Sequence, residues 1–310
     1  MAWLPLLLLL LVAGALLVGA VLILTALAIL RPPRMTDAKA LWVLRRLSPA
    51  ELNLAFEDMP FEIRDAGGRS LRLAAWWIPA TGSDRCVVMV HGYADAKVGV
   101  IAWAPVFHEL GWNVLAIDMR GHGDSQGAWC TAGCQERHDL SQAINLLRQR
   151  LPGQTRQVIL FGASMGAAVA AATAGQRADL QGLIMDSPVP DPVQAMLQHL
   201  DDAGPVGRRL GRLAIAMAQR LGRCNFGQVR AAELVATARC PVLLILCGLD
   251  VYLQPDGIAR FEQALRQNPH AKSTLWTVAD SGHLMALVAD PMEYRRRVRQ
   301  FLSQIDQPAA

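Results

Sequence analysis

A serine hydroxyl becomes a useful nucleophile only when a neighbouring base takes its proton and a carboxylate orients that base. This 310-residue chain holds one serine in a suitable setting: Ser164, in Gly162-Ala163-Ser164-Met165-Gly166, directly after the apolar run Val158-Ile159-Leu160-Phe161. A strand running through a tight turn into a helix predicts a nucleophile elbow. There the serine takes a strained backbone conformation, and the flanking glycines, lacking Cβ atoms, let neighbouring segments approach closely. Partners follow in chain order. Asp250 comes after the apolar run 242–246 through Cys247-Gly248-Leu249, and His283 sits in Asp280-Ser281-Gly282-His283 after the apolar segment 275–278. Both positions predict loops at the carboxyl ends of strands. The chemistry expected is attack by Ser164, proton transfer through His283, orientation of His283 by Asp250, and water resolving an acyl-serine. Asp186, at the end of an earlier strand, is the competing acid, but Ser187 and two following prolines mark a turn or a boundary there.

Of the other histidines, His108 and His199 fall in predicted helices, His138 begins one, and His270 lies in a surface turn. His122, inside Arg120-Gly121-His122-Gly123-Asp124-Ser125, reads as a loop-fixing residue. Charge developing on a carbonyl oxygen needs preorganised donors, usually two backbone N–H groups. Met165, next after the nucleophile, supplies one. Tyr93, in the turn His91-Gly92-Tyr93 after the apolar strand 86–90, supplies the other, with His91 shaping the turn.

Positioning these groups requires a sheet whose strand ends converge. Short continuous apolar runs at 86–90, 113–117, 157–161, 183–185, 242–246 and 273–278 alternate with helical patterns at 99–110, 136–150, 165–174 and 291–301. Continuous rather than alternating apolar strands are buried on both faces, which predicts an α/β fold with a mostly parallel sheet covered by helices. Residues 35–58 read as a helical connector, and 61–77 contain a hairpin turning at Ala66-Gly67-Gly68. From about 187 to 239 there are helical patterns and no strand, so this insertion is expected to form a helical cap. Its amphipathic stretch 208–223 suits a cap helix with a solvated basic face or one touching anionic headgroups.

Composition agrees with a large packed domain, with 53% hydrophobic residues and 18% charged. A net charge of +4, without basic blocks interleaved with aromatics, argues against nucleic acid. Residues 2–30 carry no charged side chain and are long enough to cross a bilayer, with Trp3 at one interface and Arg31, Pro32, Pro33 and Arg34 at the other. A secretory signal cleaved at Ala26-Leu27-Ala28 is the alternative, but the run is too long for a signal core and no basic residue precedes it. Because the basic residues follow the span, the positive-inside rule places the catalytic domain in the cytoplasm, the periplasmic or extracellular side being the alternative. Cys86, Cys240 and Cys247 belong in or beside core strands, Cys130 and Cys134 lie in a loop, and the six cysteines are expected to be thiols.

Taken together, His91-Gly92, the run from Asp118 to Ser125, Gly162 to Gly166, Asp250 after Gly248, and Gly282-His283 resemble the α/β-hydrolase superfamily. The resemblance is to its esterase and lipase-like branch, which includes monoacylglycerol lipases and serine-aminopeptidase-like proteins. Thr131, Gly133, Glu136 and Asp139 resemble a run found in bacterial members with an N-terminal membrane helix, while the proline after the acid is displaced to Pro255. The expected layout is an anchor over 1–30, a connector over 31–54, the hydrolase domain over 55–305 and a tail over 306–310. The expected activity is hydrolysis of carboxylic esters, lipids among them, without metal or organic cofactor. Acyl transfer, thioester or peptide cleavage by the same three residues, and a non-catalytic membrane-tethered scaffold, are the alternatives.

Overall fold

The computed structural model describes residues 3–253 and 256–306. Met1 and Ala2 of the expected span, Gln254 and Pro255 after the acid, and 307–310 of the expected tail lie outside the described residues. The strands are β1 (Glu57–Asp58), β2 (Phe61–Arg64), β3 (Ser70–Leu73), β4 (Ala75–Ile78), β5 (Arg85–Val90), β6 (Asn113–Ile117), β7 (Gln157–Ala163), β8 (Gly182–Asp186), β9 (Val242–Cys247) and β10 (Thr274–Val278). The helices are α1 (Trp3–Leu30), α2 (Asp37–Leu44), α3 (Lys97–Val100), α4 (Ala104–His108), α5 (Glu136–Arg150), α6 (Met165–Ala174), α7 (Pro192–Gln198), α8 (Gly204–Gly222), α9 (Ala231–Thr237), α10 (Gly257–Gln267), α11 (Ala286–Ala289) and α12 (Pro291–Ile305).

Eight strands form one sheet in the order β1-β4-β6-β5-β7-β8-β9-β10. From β6 through β10 neighbours run parallel, and β4 and β1 close one edge antiparallel. Successive side chains point to opposite faces. Val88 and Val90 therefore join a core with α5, α6, α9 and α10, whereas Val87 and Met89 join one with α3, α4 and α12. Burial on both faces is why these strands read as unbroken apolar runs.

β2 and β3 form the hairpin expected around Gly67-Gly68. β4, which carries Trp76 and Trp77, instead pairs with β6 in the main sheet. The helix expected over 99–110 is broken into α3, a 3-10 turn at Ile101–Trp103 and α4. Pro105 lacks an N–H and suits only the first turn of a helix, which is where it stands in α4. The connector is helical only in α2 and a 3-10 turn at Pro49–Leu52 before it ends in β1.

Between β8 and β9 there are helices and no strand. α7 and α8 lie over the strand ends, while α9 packs into the core beside α6 and α10.

Helix α1 is apolar throughout, with a mean hydropathy of 3.1 over its most apolar window, and is the one described helix long and apolar enough to cross a membrane. Its side chains are mostly exposed until Ala26 and Leu30, which are buried against Ala218 of α8. Beyond it, the Arg34 guanidinium donates to the carbonyl oxygens of Gly123 (2.6 Å), Ser125 (2.7 Å), Gly127 (2.8 Å) and His122 (3.3 Å). Arg34 thus fastens the chain after α1 to the loop that follows β6.

Candidate active site

Ser164 stands between β7 and α6 with φ +54° and ψ −120°, outside the comfortable regions for a residue with a Cβ. Two glycines make that turn feasible. A Cβ on Gly162 would lie 2.4 Å from Gly166 O, and one on Gly166 would lie 2.2 Å from Val90 O. Only hydrogen fits at either crossing, so α6 is drawn against the end of β5. The Ser164 N–H is tied to Asp186 O at 2.9 Å, which fixes the elbow to the neighbouring strand.

The structure brings Ser164, Asp250 and His283 together. His283 Nε2 is 2.8 Å from Ser164 Oγ, and His283 Nδ1 is 2.7 Å from Asp250 Oδ2. Asp250 is buried and His283 half-buried. The other Asp250 oxygen accepts the Tyr252 N–H at 2.9 Å, so the carboxylate is pinned at both ends. With Nδ1–H donating to Asp250, the Nε2 lone pair faces the serine hydroxyl, the arrangement a general base needs.

Asp186 lies at the same edge and makes no hydrogen bond to His283. Wholly buried, it accepts from Trp103 Nε1 (3.1 Å), Tyr294 Oη (2.8 Å) and Ser187 Oγ (3.0 Å), and burial pushes its carboxyl above the usual range. Its link to the site passes through Ser187, whose Oγ accepts the Leu284 N–H at 3.0 Å, one residue beyond His283. Ser187 and Leu284 have φ of +47° and +59°. The sequence marked Ser187 only as a turn or boundary and singled out neither Leu284 nor Tyr252, whose ring stands edge-on 5.0 Å from that of His283. Two strain-prone positions with no glycine leave no compositional trace.

Met165 opens α6, so its N–H has no acceptor within the helix. Tyr93 follows Gly92, whose position for a Cβ lies 3.3 Å from Ser164 Cβ, so that loop runs directly past the nucleophile. His91 is buried and fully bonded: Nδ1 meets Gly92 O at 2.7 Å and Nε2 accepts the Met119 N–H at 3.0 Å. Burial takes its pKa down to about 3, so the ring is a neutral brace. His122 Nδ1 bonds Arg120 O at 3.0 Å, and its ring packs edge-on against His91. The loop holding it is fixed by ion pairs of Lys97 with Asp118 and Asp124 and of Arg120 with Asp139. Glu136 accepts from Thr131 N, Thr131 Oγ1 and Gly133 N at 2.7–2.8 Å. These residues build the walls and stand apart from Ser164. All six cysteines are free thiols.

Comparisons with known proteins agree with this architecture. The family described as serine aminopeptidase, S33, matches residues 81–225, a stretch that holds Ser164 and ends before Asp250 and His283. The chain is 32% identical over 141 residues to the uncharacterized protein YfhR of Escherichia coli O157:H7, a match spanning 42% of this chain and about half (46%) of that relative. It is 24% identical over 259 residues to the uncharacterized protein YqkD of Bacillus subtilis (strain 168), across 81% of this chain and 82% of that one. Among solved structures, an esterase of Pyrococcus furiosus superposes with a TM-score of 0.68 at 24% identity, covering 89% of this chain and 98% of that one. An esterase from Thermogutta terrifontis superposes at 0.55 and 21% identity, covering 81% and 100%. Sheet order and these superpositions make this an α/β-hydrolase fold.

Proposed function

We infer that the chain is a membrane-anchored serine hydrolase of carboxylic esters. The observation carrying this reading is the unbroken hydrogen-bonded line from Ser164 Oγ through His283 to Asp250. Ser164 Oγ bonds to the ester carbonyl carbon as its proton passes to His283 Nε2. The oxygen that becomes negative is held by the Met165 and Tyr93 N–H groups. Collapse breaks the carbon–oxygen bond to the leaving alcohol, which takes the proton from His283. Water then attacks the acyl-serine, giving its proton to His283, and the acid departs as Ser164 recovers its hydrogen. Asp250 stays ionised and steadies the imidazolium.

The matched family's description raises peptide cleavage as a second reading. Exposed side chains flanking the catalytic loops are Leu249, Val251 and Met285, which suit an acyl group better than the charged amine of an aminopeptidase substrate. The anchor is α1, and the positive-inside rule puts the catalytic domain on the cytoplasmic face.

The test is labelling by a fluorophosphonate probe together with hydrolysis of p-nitrophenyl butyrate. Both are expected in the wild type, and both are expected to vanish in Ser164→Ala. Equal labelling of the two proteins removes Ser164 as the nucleophile.

A further inference from the structure

The apolar helix does more than end near the catalytic domain: its last turn is completed by it. A helix leaves its final carbonyls without intrahelical donors. In α1 the Leu30 carbonyl accepts the Cys130 N–H at 2.7 Å, and Tyr93 Oη reaches the carbonyls of Ala28 (3.3 Å) and Ile29 (3.4 Å). Tyr93 carries one of the two inferred oxyanion donors. Cys130 Sγ lies 3.5 Å from Met165 Sδ, and Met165 carries the other. Both oxyanion segments are therefore fastened to one end of the anchor.

Packing follows the same route. Ile29 lies against an apolar cluster that includes Met165, Leu197 of α7 and Ile215 of α8, so the anchor supplies one wall of the apolar region beside the nucleophile. Met165 and Met196 in this region are unbranched and adaptable, suited to yielding to a chain-like ligand. Half-buried or buried positions of α1 at Gly19, Leu22, Thr25, Ala26, Ile29 and Leu30 fall on one side of the helix, with Leu27 half-buried beside that stripe, and α8 is the element packed along it.

Length places this seam. Twenty-eight residues at 1.5 Å each make α1 about 42 Å long, roughly 12 Å more than a hydrocarbon core. That excess is about eight residues, the span that contains the docked end. With α1 spanning a membrane, that excess would put α8 at headgroup depth, and its exposed residues mix Leu213 with Arg209, Arg212 and Arg220, apolar and basic as an interfacial helix requires. Leu249 and Val251 on either side of Asp250 are 65% and 64% exposed, and Met285 after His283 is 46% exposed. These apolar side chains flank Asp250 and His283 at the surface, where an apolar partner would cover them.

We propose that the substrate is a long-chain acyl ester resident in the same bilayer, which reaches Ser164 along the seam between α1 and α8 with its chain against Ile29 and Met165. This rests on the serine-hydrolase reading and on α1 spanning the membrane. The anchor is then part of the acyl-binding site.

The test uses the full chain in vesicles. A fluorogenic oleoyl ester is placed either in the enzyme's own vesicles or in separate ones at equal total concentration, with p-nitrophenyl butyrate in the water as a third arm. Expected is Ser164-dependent oleoyl-ester hydrolysis at least ten-fold faster in the shared bilayer. Expected also is a ten-fold or greater fall in the oleoyl-to-butyryl ratio of kcat/KM in Ile29→Trp, and in Leu213→Glu should the first variant not fold. Folding is read by fluorophosphonate labelling. Equal rates from shared and separate vesicles, or an unchanged ratio in a folded variant, overturn the route while Ser164-dependent butyrate hydrolysis leaves the hydrolase reading standing. Loss of butyrate hydrolysis and labelling in the wild type overturns both.

Discussion

Asp186 ends β8 and Asp250 lies in the loop after β9 at the same edge of the sheet, and their surroundings give them different work. Asp250 offers one oxygen to the Tyr252 N–H and the other to His283, whereas Asp186 is sealed among the donors of Trp103, Tyr294 and Ser187. Replacing Asp250 with Asn keeps the shape but presents an amide N–H to His283 Nδ1. This forces the tautomer that cannot take the serine proton, and kcat is expected to fall about 10⁴-fold, as in the serine-protease precedent. Asp186→Asn instead sets an amide group among three donors and orphans at least one, a loss of about 1–3 kcal/mol. Its expected signature is a lower Tm with kcat reduced far less. Steady-state kinetics and thermal melts on both variants decide the matter, and the reverse pattern would exchange their roles. Chain order and strand-end position made Asp250 the readable choice. The cage around Asp186 was not readable, because Trp103 and Tyr294 come from segments far from it in the chain and only Ser187 is its neighbour.

The elements owe their placement to the crossings of backbone they permit, and Gly166 is the tightest of these. A methyl there would stand 2.2 Å from Val90 O and 2.5 Å from His91 O, so α6 must part from β5 and disturb the turn that carries Tyr93. Gly166→Ala is expected to cost about 3 kcal/mol or more, which at about 2–4 °C per kcal/mol for a domain of this size lowers Tm by about 6–12 °C. Butyrate hydrolysis should fall with it. Gly175→Ala is the control: its Cβ would meet nothing closer than 3.6 Å, and Tm should stay within about a degree. A calorimetric melt in which both variants behave alike would contradict this account of the elbow. The elbow was legible because its constraint is local, glycine on both sides of one serine. So were α5 and the parallel strands, whose apolar runs are long enough to carry a period or a block. β4 was not, since all four of its residues are buried and it follows the hairpin with one residue between them. Nothing in Trp76-Trp77 says which sheet takes it.

For the whole molecule the decisive question is whether α1 stays attached, since Ala26-Leu27-Ala28 also has the form of a signal-cleavage site. Cutting after Ala28 would remove Ala26 from its packing on Ala218 and take away the Ala28 carbonyl that Tyr93 reaches. It would also create a charged amine at Ile29, inside the apolar cluster beside Met165, where an unpaired cation is costly. A segment destined for removal gains nothing from such contacts, and Arg34 alone could moor the remaining chain through its four carbonyls. The chain recovered from membranes is therefore expected to resist extraction by alkaline carbonate and to yield peptides from before Ala28 by mass spectrometry. A soluble product with Ile29 at its amino terminus would overturn this. The sequence made α1 visible as an apolar span but was silent on its docking, because Tyr93, Cys130 and Ala218 are brought to its last turn only by the completed fold. If the helix stays, its length and the position of its docked end set how far Ser164 can stand from the bilayer. A mutation in its last turn then reaches the segments of Tyr93 and Met165 as directly as one in the cap.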